Sequence, residues 1–277
     1  MSGRREPWRL LSGKDADQVR LVGQHFEKSQ CLLVRCVWDQ KAHPVWASVV
    51  DGYIVPTKFM RDKLASLGIR QNQVYVKPNY HEPDPGPRTE VGDCALYIGR
   101  LSVEKGVATL LNAWRSNRRL PHLVVAGSGP LESECVSAAK QMSDRITFLG
   151  RVPHARVIDL TKKAICLVVP SEWLEGFPHV LLEAFACGVP IVASRIGTLA
   201  DVVKDGHTGL LFDPGEADLL AAAVERLYKD PVLAEKCGYQ ARREYLDKYT
   251  AVRNYQQLIA IYENLLEGSN TTPSRLV

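Results

Sequence analysis

The chain has 277 residues, 45% of them hydrophobic and 24% charged, with a formal net charge of +4. That length holds one large or two modest domains, and the composition is globular, with apolar residues enough for a sizeable core. The mild positive charge admits anionic ligands or an anionic membrane surface, while the lack of any basic block or RNA-binding signature argues against nucleic acid. Seven cysteines without a C-x2-C pair fit neither a zinc site nor a disulfide framework, and they suit a reducing cytoplasm. No apolar signal region opens the chain, and no stretch nears the roughly 20 apolar residues of a membrane span. The expectation is a cytoplasmic protein, with peripheral attachment to the inner face of a membrane left open.

Residues 1–30 are polar and of mixed charge. Val19–Phe26 reads as a short helix and Cys31–Trp38 as a strand, while Trp38, His43 and Trp46 read as packing and surface. From Val50 the pattern sharpens. Val50–Pro56 predicts a strand, and Thr57 caps a helix over Lys58–Leu67 that stops at Gly68. Gln73–Lys77 predicts another strand. The run His81–Arg88, with three prolines and one glycine, predicts a semi-rigid hinge. Residues 1–85 then form a first α/β segment with its linker, 86–247 a second domain, and 248–277 a closing helix and tail.

The second domain opens on the apolar strand Ala95–Ile98, followed by Gly99-Arg100-Leu101-Ser102-Val103-Glu104-Lys105-Gly106 and a helix through Leu110, Leu111 and Trp114. Gly99 lets the backbone turn tightly. Arg100 and Lys105 flank that turn at a helix start, where two cations and free N–H groups suit a diphosphate. Taken alone, such a pair is more often an ordinary surface Arg and Lys. Leu123–Ala126 is the next strand, turning at Gly127 and Gly129, a Gly-x-Gly whose signal is weak by itself. Ile146–Val152 ends a further strand at Arg151, which fits a base contact and a surface arginine alike.

The densest stretch follows. Ile165–Pro170 is a buried parallel strand, and the loop Ser171–Phe177 holds Glu175 and Gly176. Pro178 suits the first turn of a helix that carries Glu183 and stops at Gly188. Glu183 sits among Val180, Leu181, Ala184 and Phe185, so it needs polar partners unless it faces solvent or pairs with a structural arginine. Pro190–Ser194 is a strand, Ile196–Leu199 opens another helix, and Asp205–Phe212 is a turn into the last strand. Helices over Glu216–Lys229 and Val232–Asp247 come next. The final helix, Tyr249–Leu266, puts Tyr255, Leu258, Ile259 and Tyr262 on one stripe, and the tail Glu267–Val277 reads as frayed. Strand–helix alternation from 94 to 230 predicts a doubly wound parallel sheet with its ligand crevice at the carboxyl ends of the strands. Each motif above falls at such an end.

Glu-Gly-Phe-Pro-x4-Glu at 175–183, followed by Ala-x-Ala-x-Gly-Val-Pro-Ile-Val-Ala-Ser, resembles the donor-site signature of family 4 (group 1) glycosyltransferases of the GT-B fold. Gly-Arg-Leu-Ser-x-Glu-Lys-Gly at 99–106 matches that family's diphosphate loop, and the resemblance runs from about Val50 to about Leu266. It implies that Glu175 reaches the donor sugar and is the catalytic candidate, and that Glu183 holds the ribose. Gly99, Arg100 and Lys105, with the helix start at Gly176, Phe177 and Pro178, would hold the diphosphate and sugar. The turn at Gly127 and Gly129 would face the donor, and the base would lie near Arg151. No metal and no cofactor beyond the nucleotide-diphosphate sugar are implied. Asp201 stands where the family usually has Glu, and Pro78-Asn79-Tyr80 replaces Pro-Asn-Gly.

The resemblance further implies retaining transfer of a hexose to a glycan, lipid or small-molecule acceptor. Residues 1–85 are too few for the family's full acceptor-side domain, and they contain no Gly-x-Gly-Gly loop. A donor-binding half that transfers nothing without a partner protein, a second copy or a missing domain therefore stands beside the enzyme reading. An NAD-type Rossmann enzyme fits poorly, because Arg and Lys occupy the turn where Gly-x-Gly-x-x-Gly belongs.

Overall fold

The computed structural model describes residues 50–270, with side chains to Glu267. The expected helix Val19–Phe26, the strand Cys31–Trp38, and Trp38, His43 and Trp46 lie outside the described residues, as does the tail beyond 270. The first described unit is small. Strand β1 (Tyr53–Val55) pairs in parallel with β2 (Val74–Val76), and helix α1 (Lys58–Ser66) connects them. Thr57 caps α1 by accepting from the Met60 N–H at 3.2 Å.

Six parallel strands make the main sheet: β3 (Cys94–Ile98), β4 (His122–Ala126), β5 (Ile146–Phe148), β6 (Ala164–Val169), β7 (Ile191–Ser194) and β8 (Gly209–Phe212). Their spatial order is β5-β4-β3-β6-β7-β8. The chain winds outward from β3 in one direction, returns, and winds outward from β6 in the other. This is the expected doubly wound sheet, and its reversal lies between β3 and β6.

Period-two alternation distributes the strand side chains between two helical layers. Ala95, Tyr97, Val168 and Val192 join the core under α2 (Val107–Ser116), α3 (Glu132–Gln141) and α7 (Ala217–Lys229). Leu96, Leu167, Val169, Ile191 and Ala193 face the core under α4 (His154–Lys162), α5 (His179–Ala186), α6 (Gly197–Val202) and α8 (Pro231–Lys248). Strand β6 is buried along its whole length, as its unbroken apolar run requires. Trp114, fully buried on α2, satisfies its indole N–H by donating to the Pro121 carbonyl at 2.9 Å. Cys94, Cys135, Cys166, Cys187 and Cys237 are free thiols, and burial pushes Cys166 and Cys187 up to about 12.

Three expectations change. The run His81–Arg88 is a strap laced along the main sheet unit and does not stand off as a hinge. Arg242 on α8 holds the Asp84 carboxylate through two hydrogen bonds of 2.6 and 2.7 Å, and Lys162 donates to the Pro85 carbonyl at 2.5 Å. Arg88 donates to the Ala164 carbonyl at 2.6 Å, and its own N–H reaches Cys187 O at 2.8 Å. Pro178 stands just before α5 as its cap residue instead of within the first turn.

The third change concerns the last helix, α9 (Ala251–Asn270), which is rotated from the expected stripe. Tyr255 and Tyr262 are 65% and 51% exposed, whereas Asn254 and Ile261 are buried. Asn254 decides the rotation. Its amide donates to the Pro78 carbonyl at 2.7 Å and accepts from Lys77 at 3.0 Å, two bonds that an apolar stripe could not make.

At the reversal point the backbones of two loops touch. Gly106 has φ +67°, and a Cβ there would lie 1.8 Å from the Pro170 carbonyl oxygen. Gly106→Ala combines a left-handed conformation with a backbone clash, so it should destabilise the fold by roughly 2–5 kcal/mol. Urea denaturation of the two proteins measures this; equal midpoints would show that the two loops can separate without cost.

Candidate functional site

The crevice lies outside the carboxyl ends of β3 and β6. Leaving β3, the chain passes Gly99 and Arg100, makes a 3-10 turn over Val103–Lys105, and enters α2. Two backbone bonds tie this loop to the turn after β4: the Gly99 N–H donates to Ala126 O at 3.1 Å, and the Leu101 N–H to Ser128 O at 3.0 Å. Gly127 permits that approach, since a Cβ on it would meet the Gly99 carbonyl oxygen at 1.9 Å. The result is an open cleft of about 520 Å³ whose walls include Gly99, Arg100, Gly127, Gly129, Arg151 and Val157. Five residues singled out from the sequence therefore meet on one surface.

Beside the cleft, the loop after β6 carries Glu175. Lys105 Nζ lies 2.6 and 2.7 Å from its two carboxylate oxygens, and Ser171 Oγ donates to one of them at 2.5 Å. The Lys105 and Glu175 side chains are 29% and 13% exposed, which leaves the pair half-sheltered and partly open to exchange with a ligand. Supporting bonds hold both loops. Thr109 donates to Glu172 at 2.6 Å, the Glu172 N–H to Glu104 O at 3.0 Å, and Ser102 to the Glu104 carboxylate at 2.6 Å.

Helix α5 starts at the crevice with Gly176 exposed before it; in its first turn the Leu181 N–H donates to the Pro178 carbonyl at 3.2 Å, and the earlier N–H groups have no intrahelical acceptor. Phe177 differs from a lining residue. Its ring is 8% exposed and packs edge-on against Tyr249, 6.1 Å between centroids, so that only its backbone is available to a ligand. Glu183 is buried one turn further in and accepts a hydrogen bond from His154 Nε2 at 2.9 Å. His154 opens α4, the helix that follows the Arg151 loop. His81 on the strap is buried with its ring 6.2 Å from that of His154, and burial lowers its pKa below the ordinary histidine value. A second hollow of about 310 Å³ opens beside it, lined by Asn79, Tyr80, His81, Glu82 and His179.

The crevice thus gathers backbone N–H groups, two cations and two carboxylates at the end of a parallel sheet. Such a set suits a ligand carrying both an anionic linker and hydroxyl groups. Ser171 and His154 were not among the residues read from the sequence. Ser171 had a faint signal, four residues before Glu175; His154 had none, because its partner lies 29 residues away across two elements. Among the described residues no group of three or more His, Cys, Asp or Glu side chains is placed to hold a metal ion, and no helix is long and apolar enough to cross a membrane.

Residues 86–244 match the family model of the glycosyl transferases group 1. A glycogen synthase of Mycobacterium tuberculosis is 35% identical over 162 residues, covering 57% of this chain and 39% of that protein. An alpha-maltose-1-phosphate synthase of Mycolicibacterium smegmatis is 28% identical over 248 residues, 78% of this chain and 63% of that one. Among solved structures, Anabaena HepE in complex with UDP superimposes with a TM-score of 0.69 at 20% identity, over 77% of this chain and 64% of that chain. This chain therefore spans less than two thirds of each of these proteins, 39%, 63% and 64% of their lengths.

The Lys105–Glu175 contact can be weighed without any ligand. Lys105→Ala leaves a sheltered carboxylate with Ser171 alone and should cost roughly 1–3 kcal/mol, most of which Glu175→Gln in the same chain should restore. A double-mutant cycle in urea reads the coupling; additive losses would mean that the pair contributes nothing to the folded state.

Proposed function

The chain belongs to the glycosyl transferases group 1, and from that premise we propose that the crevice binds a nucleotide-diphosphate sugar for retaining transfer of a hexose. The carrying observation is the convergence of Arg100, Lys105 and the start of α5 on one side of the β3/β6 reversal, with Glu175 and Glu183 eight residues apart. On this reading the base occupies the cleft near Arg151 and the ribose hydroxyls reach Glu183. The diphosphate meets Arg100, Lys105 and the free N–H groups before α5. Glu175 faces the hexose. That HepE was solved with UDP supports a nucleotide of this class.

The chemistry follows from those positions. The C1–O bond to the diphosphate breaks as the acceptor hydroxyl forms the new C1–O bond on the same face, and the hydroxyl proton passes to a departing phosphate oxygen. Arg100, Lys105 and the α5 dipole stabilise the charge growing on the leaving group. Because these cations already offset that charge, donor binding is proposed to need no metal.

Lys105 is paired with both Glu175 carboxylate oxygens. A diphosphate must compete with that carboxylate, and Glu175→Gln should therefore tighten bare nucleoside diphosphate by about two- to fivefold. The same change should weaken the sugar-bearing donor, while Arg100→Ala should weaken both by roughly 10- to 100-fold. Calorimetric titration with EDTA present checks all three. Equal affinities for wild type and Arg100→Ala, or binding that appears only when manganese is added, would overturn the clamp.

A second reading rests on the described residues ahead of the strap, which form only the β1–β2 pair and α1. On this reading they supply little acceptor surface, and the chain binds donor but transfers only with a partner or a fuller acceptor domain. Holding the acceptor in line can contribute roughly 7–11 kcal/mol of a barrier, which a leaving-group clamp cannot replace. Product formation by monomeric protein over a panel of glycan, lipid and small-molecule acceptors separates the two: robust turnover excludes the half-enzyme.

A further inference from the structure

We propose that His154 is a positioning residue for nucleotide recognition: it orients the Glu183 carboxylate so that one oxygen stays directed at a ribose. The inference rests on the donor-site reading above. At neutral pH a carboxylate only accepts hydrogen bonds, so the ring nitrogen 2.9 Å from Glu183 Oε1 must carry the proton. His154 therefore donates from Nε2 to one Glu183 oxygen, while the second remains to accept.

The need for such a partner is local. Leu181, Leu182, Ala184 and Phe185 around Glu183 are fully buried, and the Glu183 side chain is 10% exposed. A carboxylate there has few polar neighbours to set its rotamer. Among the described residues His154 is the one side chain that hydrogen-bonds it. His154 itself is 63% exposed, and burial of its own ring contributes little to the fold. Its neighbour His81, whose pKa burial lowers, lies with its ring 6.2 Å from that of His154.

The placement also links two halves of the site. His154 begins the helix that follows the Arg151 loop, and that loop lines the cleft assigned to the base. Glu183 sits on α5, whose start faces the diphosphate. One hydrogen bond between residues 29 apart in sequence fixes the distance between the base side and the ribose side. A nucleotide must bridge that span, so a bond that sets it before binding spares the ligand the ordering. The specificity it would confer is for a ribonucleotide over one lacking the ribose hydroxyls.

The test compares UDP with 2′,3′-dideoxy-UDP by calorimetry on the wild-type chain and on His154→Ala, His154→Gln and Glu183→Gln. His154→Ala should weaken UDP by about three- to tenfold, a single hydrogen bond's worth, and leave the dideoxy ligand unchanged. His154→Gln, whose amide N–H can reach the same oxygen, should keep most of the UDP preference. Loss of both ligands alike in His154→Ala would mean a merely structural role and would overturn the proposal. If Glu183→Gln abolishes the preference but His154→Ala does not, this inference fails alone. If Glu183→Gln leaves the preference intact, the ribose reading fails and takes this inference with it.

Discussion

Two loops can form one site here only because their backbones touch. Gly106 lies against the Pro170 carbonyl, and Gly127 against that of Gly99, at separations that no Cβ would allow. These contacts fix where Lys105 leaves its 3-10 turn and where Glu175 leaves the loop after β6. The ion pair between them, closed on both carboxylate oxygens, is a consequence of that approach more than its cause. A partly solvated pair of this kind has modest energy, while a backbone clash has no adjustable side chain to relieve it.

The same geometry sets the charge balance of the crevice. Two cations beside a helix start would repel each other and the positive end of the helix dipole if nothing faced them. Glu175 takes up Lys105, and Ser171 supports Glu175. Lys105 thus has its counter-charge within the site, at the expense of some affinity for a bare diphosphate. A ligand bringing both phosphates for the cations and hydroxyls for the released carboxylate recovers both partners at once, which favours the complete donor over its leaving group alone.

The sheet was legible because its information is local. Apolar runs at 95–98, 123–126 and 165–169 and the Gly stops between helices mark the elements, and their alternation leaves few topologies other than a doubly wound one. What escaped the sequence was set by distant partners. The rotation of α9 depends on Asn254 bonding Lys77 and the Pro78 carbonyl, 177 and 176 residues away. The prolines of the strap suggested stiffness correctly but said nothing of Arg242, 158 residues on, which holds Asp84. Phe177 sat inside a functional motif, yet its ring belongs to the core against Tyr249. A motif identifies a stretch of backbone, and the side chains within it still divide between ligand and packing.

That division has a consequence for how the site holds its shape. Phe177, ahead of α5, is held in the core by Tyr249, and Glu183, within α5, is held by the half-exposed His154. Tyr249 also accepts from the strap through its carbonyl, from the His81 N–H at 3.0 Å, while Tyr245 donates to the His81 carbonyl at 3.1 Å. The strap, the α8–α9 junction and the start of α5 are therefore one packed unit. His81 stays buried and neutral within it because a charged ring there would lose solvation that nearby Glu183 only partly returns. The β1–β2 unit in turn reaches α6 through the Phe59 N–H, which donates to Asp201 at 2.5 Å. Helices α5 and α6, separated in the chain by β7, share the core beneath the crevice, so the β1–β2 contact and the start of α5 rest on the same packed layer.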